Sequence, residues 1–328
     1  RQREAMSYIQ SLKSMIQRSE LLNAALTPAF ISFVHPRMVR RQAKKRGLTV
    51  DFSGSSVDIS DGSRIVRLAR RHSIYANDVV NDFDFYHGAV APDVTDGVEV
   101  VDYSVPKPHE ILGFSLHPIF FNALAEPLAT ADQYLHFAQL SEGCTCIDLG
   151  AYSGLTSIIF REQCGETGRV VAVDADPANI RAIKTNFELY AGKTGRRVEL
   201  LEGAVWSHDD GIHFSAEGNL GSSATDYVGD RLGAATRVAS FKLSTIADRY
   251  GLQRVDFIKC DVEGAESVIF GDGQFFARFR PRIIIEVHRV DGTLTTQRVE
   301  SDLAQHGYKF ELVDQLGSTL PLLRCTPA

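Results

Sequence analysis

The most constraining feature of this 328-residue chain is a glycine turn between an apolar run and a helical one. The run Cys144 to Leu149 leads into Asp148-Leu149-Gly150-Ala151-Tyr152-Ser153-Gly154, followed by the helical stretch Leu155 to Arg161. A second apolar strand, Arg169 to Asp174, then ends in an acid twenty residues after Gly154. Two apolar strands joined by a helix form a βαβ unit, and such units build a mostly parallel sheet covered on both faces.

The rhythm continues to the end of the sequence. Further strands are expected at 197–201, 255–260, 282–287, 307–313 and 320–324, with helices near 154–163, 177–191, 264–270 and 293–305. Residues 211–242 break the pattern with Gly, Ser and short β-like pieces, which reads as an inserted hairpin or loop bordering a substrate site. Before residue 131 the pattern differs. Short β-like runs at Val57 to Ile59, Arg64 to Leu68 and Val98 to Tyr103 alternate with turn signals such as Asp61-Gly62 and Asp96-Gly97. The expected division is therefore a helical arm and accessory mixed α/β region at 1–130 and a catalytic domain at 131–328. The aromatic residues Phe83, Phe85 and Tyr86 and the run His117 to Phe121 are read as core of the accessory region first and pocket wall second.

Composition excludes the special classes. With 44% hydrophobic and 23% charged residues the chain reads as globular, and no run approaches the roughly 18 apolar residues a membrane helix needs. No secretory leader is visible and the five cysteines form no CxxC pair, so a soluble, cytoplasmic protein with buried thiols is expected. The net charge of −6 conceals an asymmetry, because residues 1–50 hold ten Lys/Arg against two Glu. Apolar residues from Glu4 to Leu26 recur at helical spacing, and Arg37, Arg40, Arg41, Lys44 and Lys45 fall on one face of a following helix. No nucleic-acid-reading motif accompanies this stripe. It is read as a solvated face, with a homo-oligomer or partner contact through the arm as the alternative.

The glycine turn aims helix N–H groups and close backbone at a ligand. It fails the dinucleotide fingerprint: counted from Gly150, the second and third glycine positions hold Tyr152 and Leu155. Asp148, Gly150 and Gly154 instead match the Asp-x-Gly-x-x-x-Gly turn that binds S-adenosylmethionine, a ligand without phosphate. Asp174 is then positioned to accept from both ribose hydroxyls.

From about 141 to 290 the sequence resembles the FkbM family of S-adenosylmethionine-dependent methyltransferases. The resemblance is carried by Ile147 to Ala151, Val171 to Pro177, Leu201 to Val205, Phe257 to Glu266 with its Lys-Cys-Asp-Val-Glu-Gly-Ala-Glu segment, and Pro281 to His288. It implies a Rossmann-like class I methyltransferase fold: a seven-stranded, mostly parallel sheet with an antiparallel last strand. It also implies a cofactor site made of Asp148, Gly150, Ala151, Tyr152, Gly154, Asp174, Ala175, Gly203, Ala204, Val205 and Asp261. Tyr152 stands where the family usually has Asn, and Asp174-Ala175 where it has Glu-Pro.

Methyl transfer from a sulfonium requires an aligned acceptor and, for a hydroxyl, removal of its proton. Asp261 and Glu263 end one strand, Glu286 and His288 the next, and period-2 geometry aims each pair one way. His288 is the preferred base, Asp261 orients cofactor or acceptor, and Glu263 or Glu286 holds the imidazole. Glu266 is read as favouring the start of the next helix. The same group offers ligands for a divalent cation, although no metal-specific spacing is present. The expected activity is O-methylation of a hydroxyl on a small natural product or saccharide. The alternatives are a non-catalytic binding module and a nicotinamide-dependent oxidoreductase.

Overall fold

A computed structural model describes residues 35–52, 54–215, 223–224, 235–290, 293–318 and 320–328. The amphipathic stretch from Glu4 to Leu26 lies outside these residues. The described chain opens on helix α1 (His35–Lys45), which buries Val39 and Ala43 and leaves Arg37, Arg40, Arg41, Lys44 and Lys45 exposed, so the basic stripe is indeed one helix face. Strands β1 (Thr49–Asp51), β2 (Ser56–Ser60) and β3 (Arg64–Ala69) follow, then a 3-10 turn (Arg70–Tyr75) and helices α2 (Ala76–Asn81) and α3 (Phe83–His87). Next come β4 (Asp93–Thr95), β5 (Val98–Tyr103) and the pair β6 (Lys107–His109) and β7 (Ile119–Phe121). The accessory sheet runs β1-β2-β3-β5-β4, antiparallel except between β3 and β5. Alternation puts Val57, Ile59, Val66 and Leu68 into its core.

The second half begins with α4 (Leu128–Ala138), β8 (Thr145–Leu149), α5 (Leu155–Gln163), β9 (Arg169–Asp174), α6 (Pro177–Thr194) and β10 (Glu199–Glu202). Short strands β11 (Ala204–Val205), β12 (Ile212–Ser215), β13 (Ser223–Ala224), β14 (Ala235–Val238) and β15 (Ser240–Phe241) form the inserted segment. Then follow α7 (Leu243–Arg249), β16 (Phe257–Cys260), α8 (Glu266–Ile269), α9 (Gly273–Arg278), β17 (Arg282–Glu286), the pair β18 (Arg289–Val290) and β19 (Thr293–Leu294), α10 (Thr296–Ala304), β20 (Tyr308–Val313) and β21 (Leu322–Pro327).

The main sheet has the order β10-β9-β8-β16-β17-β21-β20. All neighbours are parallel except β21, which runs antiparallel to both β17 and β20. Because side chains alternate, the sheet feeds two cores: Cys146, Val170, Ala172 and Phe257 face α4 and α5, while Ile147, Val171, Val173, Ile258 and Ile285 face the other way. The expected helix near 264–270 is cut to Glu266–Ile269, because Glu263 and Gly264 adopt φ of 52° and 103° and form a turn instead. All five cysteines are free and buried. Among the described residues no helix is long and apolar enough to cross a membrane.

Candidate active site

The carboxyl ends of β8, β9, β10 and β16 open on a cleft. Such crevices above the strand ends of open α/β sheets are the usual ligand sites of these folds. Gly150, Tyr152, Asp174, Ala175, Gly203, Ala204, Val205, Asp261 and Glu263 line it, as the sequence placed them. Val173, Asn179, Val262 and Ala265 also line it, and Trp206, Ile212 and Phe214 add an apolar wall that the motif reading had missed. The signal for the last two was the inserted segment, in which β12 carries them.

Asp148, Ala151 and Gly154 do not line the cleft. Asp148 is fully buried beneath the turn, accepting a hydrogen bond from Ser157 Oγ at 2.5 Å and standing 3.4 Å from Lys259 Nζ. Gly154 opens α5 with φ 79°, and a Cβ there would lie 2.6 Å from Phe187. The glycine requirement is thus internal packing. At Gly150 the same holds more strongly: a Cβ would stand 1.8 Å from the Asp261 carbonyl oxygen, so it is the end of β16 that needs the bare backbone.

Asp174 faces the cleft at the end of β9. Its Oδ2 accepts from Tyr152 N–H and its Oδ1 from Asp176 N–H, each at 2.9 Å. Burial raises its pKa to about 7 against those two bonds. Tyr152 therefore contributes backbone to the site, with φ 52°. Its ring turns away from the cleft, packs 6.0 Å from Phe121, and its hydroxyl donates to the Leu124 carbonyl at 2.8 Å. Nearby, Asn186 accepts from Phe120 N–H at 2.8 Å and donates to Phe120 O at 2.9 Å, and Ser153 Oγ donates to Glu126 Oε2 at 3.2 Å. The segment 119–126 is thereby fixed to the glycine turn and to α6.

Two charged residues escaped the sequence reading. Lys259, buried on β16, donates to Gly150 O at 2.6 Å and stands 3.7 Å from Asp261 Oδ2. Burial opposes its charge, but Asp148 and Asp261 outweigh burial and raise its pKa. Glu126, beside Ser153, is pushed up to about 7 by burial. Both belong to interactions spanning long stretches of chain, which motif spacing does not reveal.

Asp261, Glu263, Glu286 and His288 do converge. Nε2 of His288 stands 3.7 Å from Asp261 Oδ1, 3.7 Å from Glu263 Oε1 and 3.9 Å from Glu286 Oε1. The reason differs from strand alternation, because β16 ends at Cys260 and Glu263 reaches inward from the left-handed turn. Neither Glu263 nor Glu286 holds the imidazole from behind. Glu266 does: its Oε1 lies 3.4 Å from Nδ1 and accepts His288 N–H at 2.8 Å and Thr295 Oγ1 at 2.7 Å. Burial pulls the imidazole pKa down, yet Glu263, Glu266 and Glu286 outweigh it and leave it well above its ordinary value. The imidazole expected to act as base thus sits in a ring of carboxylates rather than beside a single one. Burial and the charge of Asp261 push Glu286 up to about 8, and Gln315 Nε2 donates to it at 2.8 Å.

The charge of the cleft decides between ligands. Its lining holds Asp174, Asp261 and Glu263 and no Lys or Arg. A pyrophosphate would meet like charge, whereas a sulfonium with an adenosyl group meets carboxylates and an apolar wall. The residues present therefore fit S-adenosylmethionine.

Strand order, antiparallel β21 and this cleft define a class I methyltransferase of the S-adenosylmethionine type. Residues 148–310 match the family described as "Methyltransferase FkbM domain". Over that span the chain belongs to the FkbM methyltransferases. No curated protein matches it. Among solved structures, it is similar to a methyltransferase FkbM from Methylobacillus flagellatus KT at 15% identity, TM-score 0.39, covering 59% of this chain and 50% of that one. It is similar to an O-methyltransferase from Bacillus cereus, solved in complex with SAH, at 12% identity, TM-score 0.41, covering 62% and 82%. A fibrillarin from Aeropyrum pernix with natively bound S-adenosyl-L-methionine shares 13% identity, TM-score 0.38, over 83% and 93%.

Proposed function

We propose that this protein is an S-adenosylmethionine-dependent O-methyltransferase acting on a hydroxyl of a small natural product or saccharide. The observation that carries the reading is the junction at Asp261, which lines the cofactor cleft and at the same time faces His288. An acid–base cluster bordering a sulfonium site is what a hydroxyl acceptor requires. The acceptor class is the one that the resemblance to the FkbM family suggests.

When bound, the cofactor supplies an activated methyl group, so the chain has to bind, align and deprotonate. Asp174 takes the ribose hydroxyls, and Gly203, Ala204 and Val205 border the adenine beside Trp206 and Phe214. Asp261 orients the acceptor. The acceptor's proton passes to the cluster of Asp261, Glu263, Glu286 and His288. A bound cofactor would supply the methyl group and keep the electron pair of its carbon–sulfur bond, leaving the chain the acceptor's proton to remove. The region 1–130 is assigned as the accessory unit that closes the acceptor side, supported by the ties of Leu124 to Tyr152 and of Phe120 to Asn186.

Transfer of a labelled methyl group to a hydroxyl acceptor tests the reading. His288→Ala is expected to lower kcat about a hundredfold or more while cofactor affinity persists. Unchanged turnover would remove the cluster from the mechanism, and absence of any transfer by the wild type would favour a binding module.

A further inference from the structure

We propose that Asp261, Glu263 and Nε2 of His288 form a site for one divalent cation of the Mg²⁺/Mn²⁺ class, set at the edge of the cleft where the acceptor hydroxyl becomes a further ligand. The inference rests on the methyltransferase reading of that cleft.

Each of the three residues offers a ligand atom, and the three atoms lie within 4.8 Å of one another. The two oxygens stand 3.7 Å from Nε2, beyond hydrogen-bonding distance. Ligand atoms about 2.0–2.4 Å from a shared ion are separated by roughly 3 to 4 Å, so the gap has the size of an ion. The His288 side chain is only 7% exposed and is aimed into this gap.

What aims it is the second observation. Glu266, itself wholly buried, backs the imidazole at Nδ1, and its oxygens are fixed by His288 N–H, Thr295 Oγ1 and Gly264 N–H. A carboxylate behind one ring nitrogen with the other facing outward is the arrangement that orients metal-binding histidines. Asp261 is divided in the same sense: Oδ2 faces Lys259, and Oδ1 faces His288. Four carboxylates around one imidazole leave negative charge that a divalent cation offsets. Oxygen ligands with one imidazole suit a hard ion better than a thiophilic one. Bound there, the cation would acidify the hydroxyl, with Glu286, 3.9 Å from Nε2, outside the ligand set.

Titration of the full chain with MnCl₂, followed by electron paramagnetic resonance, tests the site. One bound equivalent is expected, displaced by Mg²⁺ and weakened at least tenfold in Glu263→Gln and His288→Ala. Pulsed measurement on the wild type is expected to show a directly coordinated imidazole nitrogen, a readout that needs no variant to fold. No bound Mn²⁺, no nitrogen coupling, or unchanged affinity in Glu263→Gln overturns the proposal. Calorimetry with S-adenosylmethionine in chelator separates the two readings. Cofactor binding without Mn²⁺ binding removes only the cation, whereas loss of cofactor binding removes the methyltransferase reading of the cleft.

Discussion

The hydroxyl of Tyr152 donates to the main-chain carbonyl of Leu124 at 2.8 Å, while the Tyr152 N–H holds Asp174 from the other side. One residue thus ties Asp174 to the segment leading out of the amino-terminal region. Tyr152→Phe keeps the ring packing and leaves the buried Leu124 carbonyl without this donor, at a cost of about 1–3 kcal/mol. A urea midpoint lowered by that amount, with the slope unchanged, is the expected result; no shift would show that the tie contributes nothing.

Gly150→Ala is expected to be among the most damaging single changes. The added methyl would overlap the Asp261 carbonyl at 1.8 Å and would also force alanine to φ 75°. Overpacking and left-handed strain together destabilise by about 3 kcal/mol or more. Ala at Gly192, where a Cβ meets nothing within 4 Å, should by contrast leave the melting temperature unchanged or raised.

Lys259→Met leaves the buried Asp148 and the half-buried Asp261 without their cation, which costs about 3–5 kcal/mol. Adding Asp148→Asn removes one of the orphaned charges, so the double variant should recover part of that loss. Additive losses in the double-mutant cycle would contradict the pairing.

Two histidines of the accessory region set a pH dependence. Burial, helped by Arg71 at His72 and Lys107 at His109, pulls each from 6.5 down to about 4. Between those values the unfolded chain binds more protons than the folded one, so their contribution falls as pH falls from about 6.5 towards 4. Asp78, raised to about 6 by burial, acts in the opposite sense below that pH. The readable quantity is therefore a difference. Relative to His72→Gln/His109→Gln, the wild type should lose about 3–4 kcal/mol more stability on going from about pH 7 to about 5.

The strands of the main sheet were legible because each is a short apolar run bounded by turns, and β9 falls at the residues expected, Arg169–Asp174. The acid at its end was legible too, since it follows the glycine turn at a fixed distance. What escaped was whatever depends on packing between distant segments. Lys259 meets Gly150 109 residues away, and Gln315, in the β20–β21 connection, meets Glu286 at the end of β17. Glu266 reads locally as a helix-start residue because it does open α8, yet its carboxylate stands behind the His288 imidazole. The glycines were recognised, but the atoms that crowd them belong to Asp261 and Phe187, which no local pattern announces.

The central claim is that the cleft above β8 and β9 takes S-adenosylmethionine through Asp174. Isothermal titration calorimetry tests it directly. The wild type should bind one equivalent, and Asp174→Ala should weaken binding at least about tenfold by removing charge-assisted bonds to the ribose. Absence of binding by the wild type, or undiminished affinity in Asp174→Ala with the fold intact, would contradict the account.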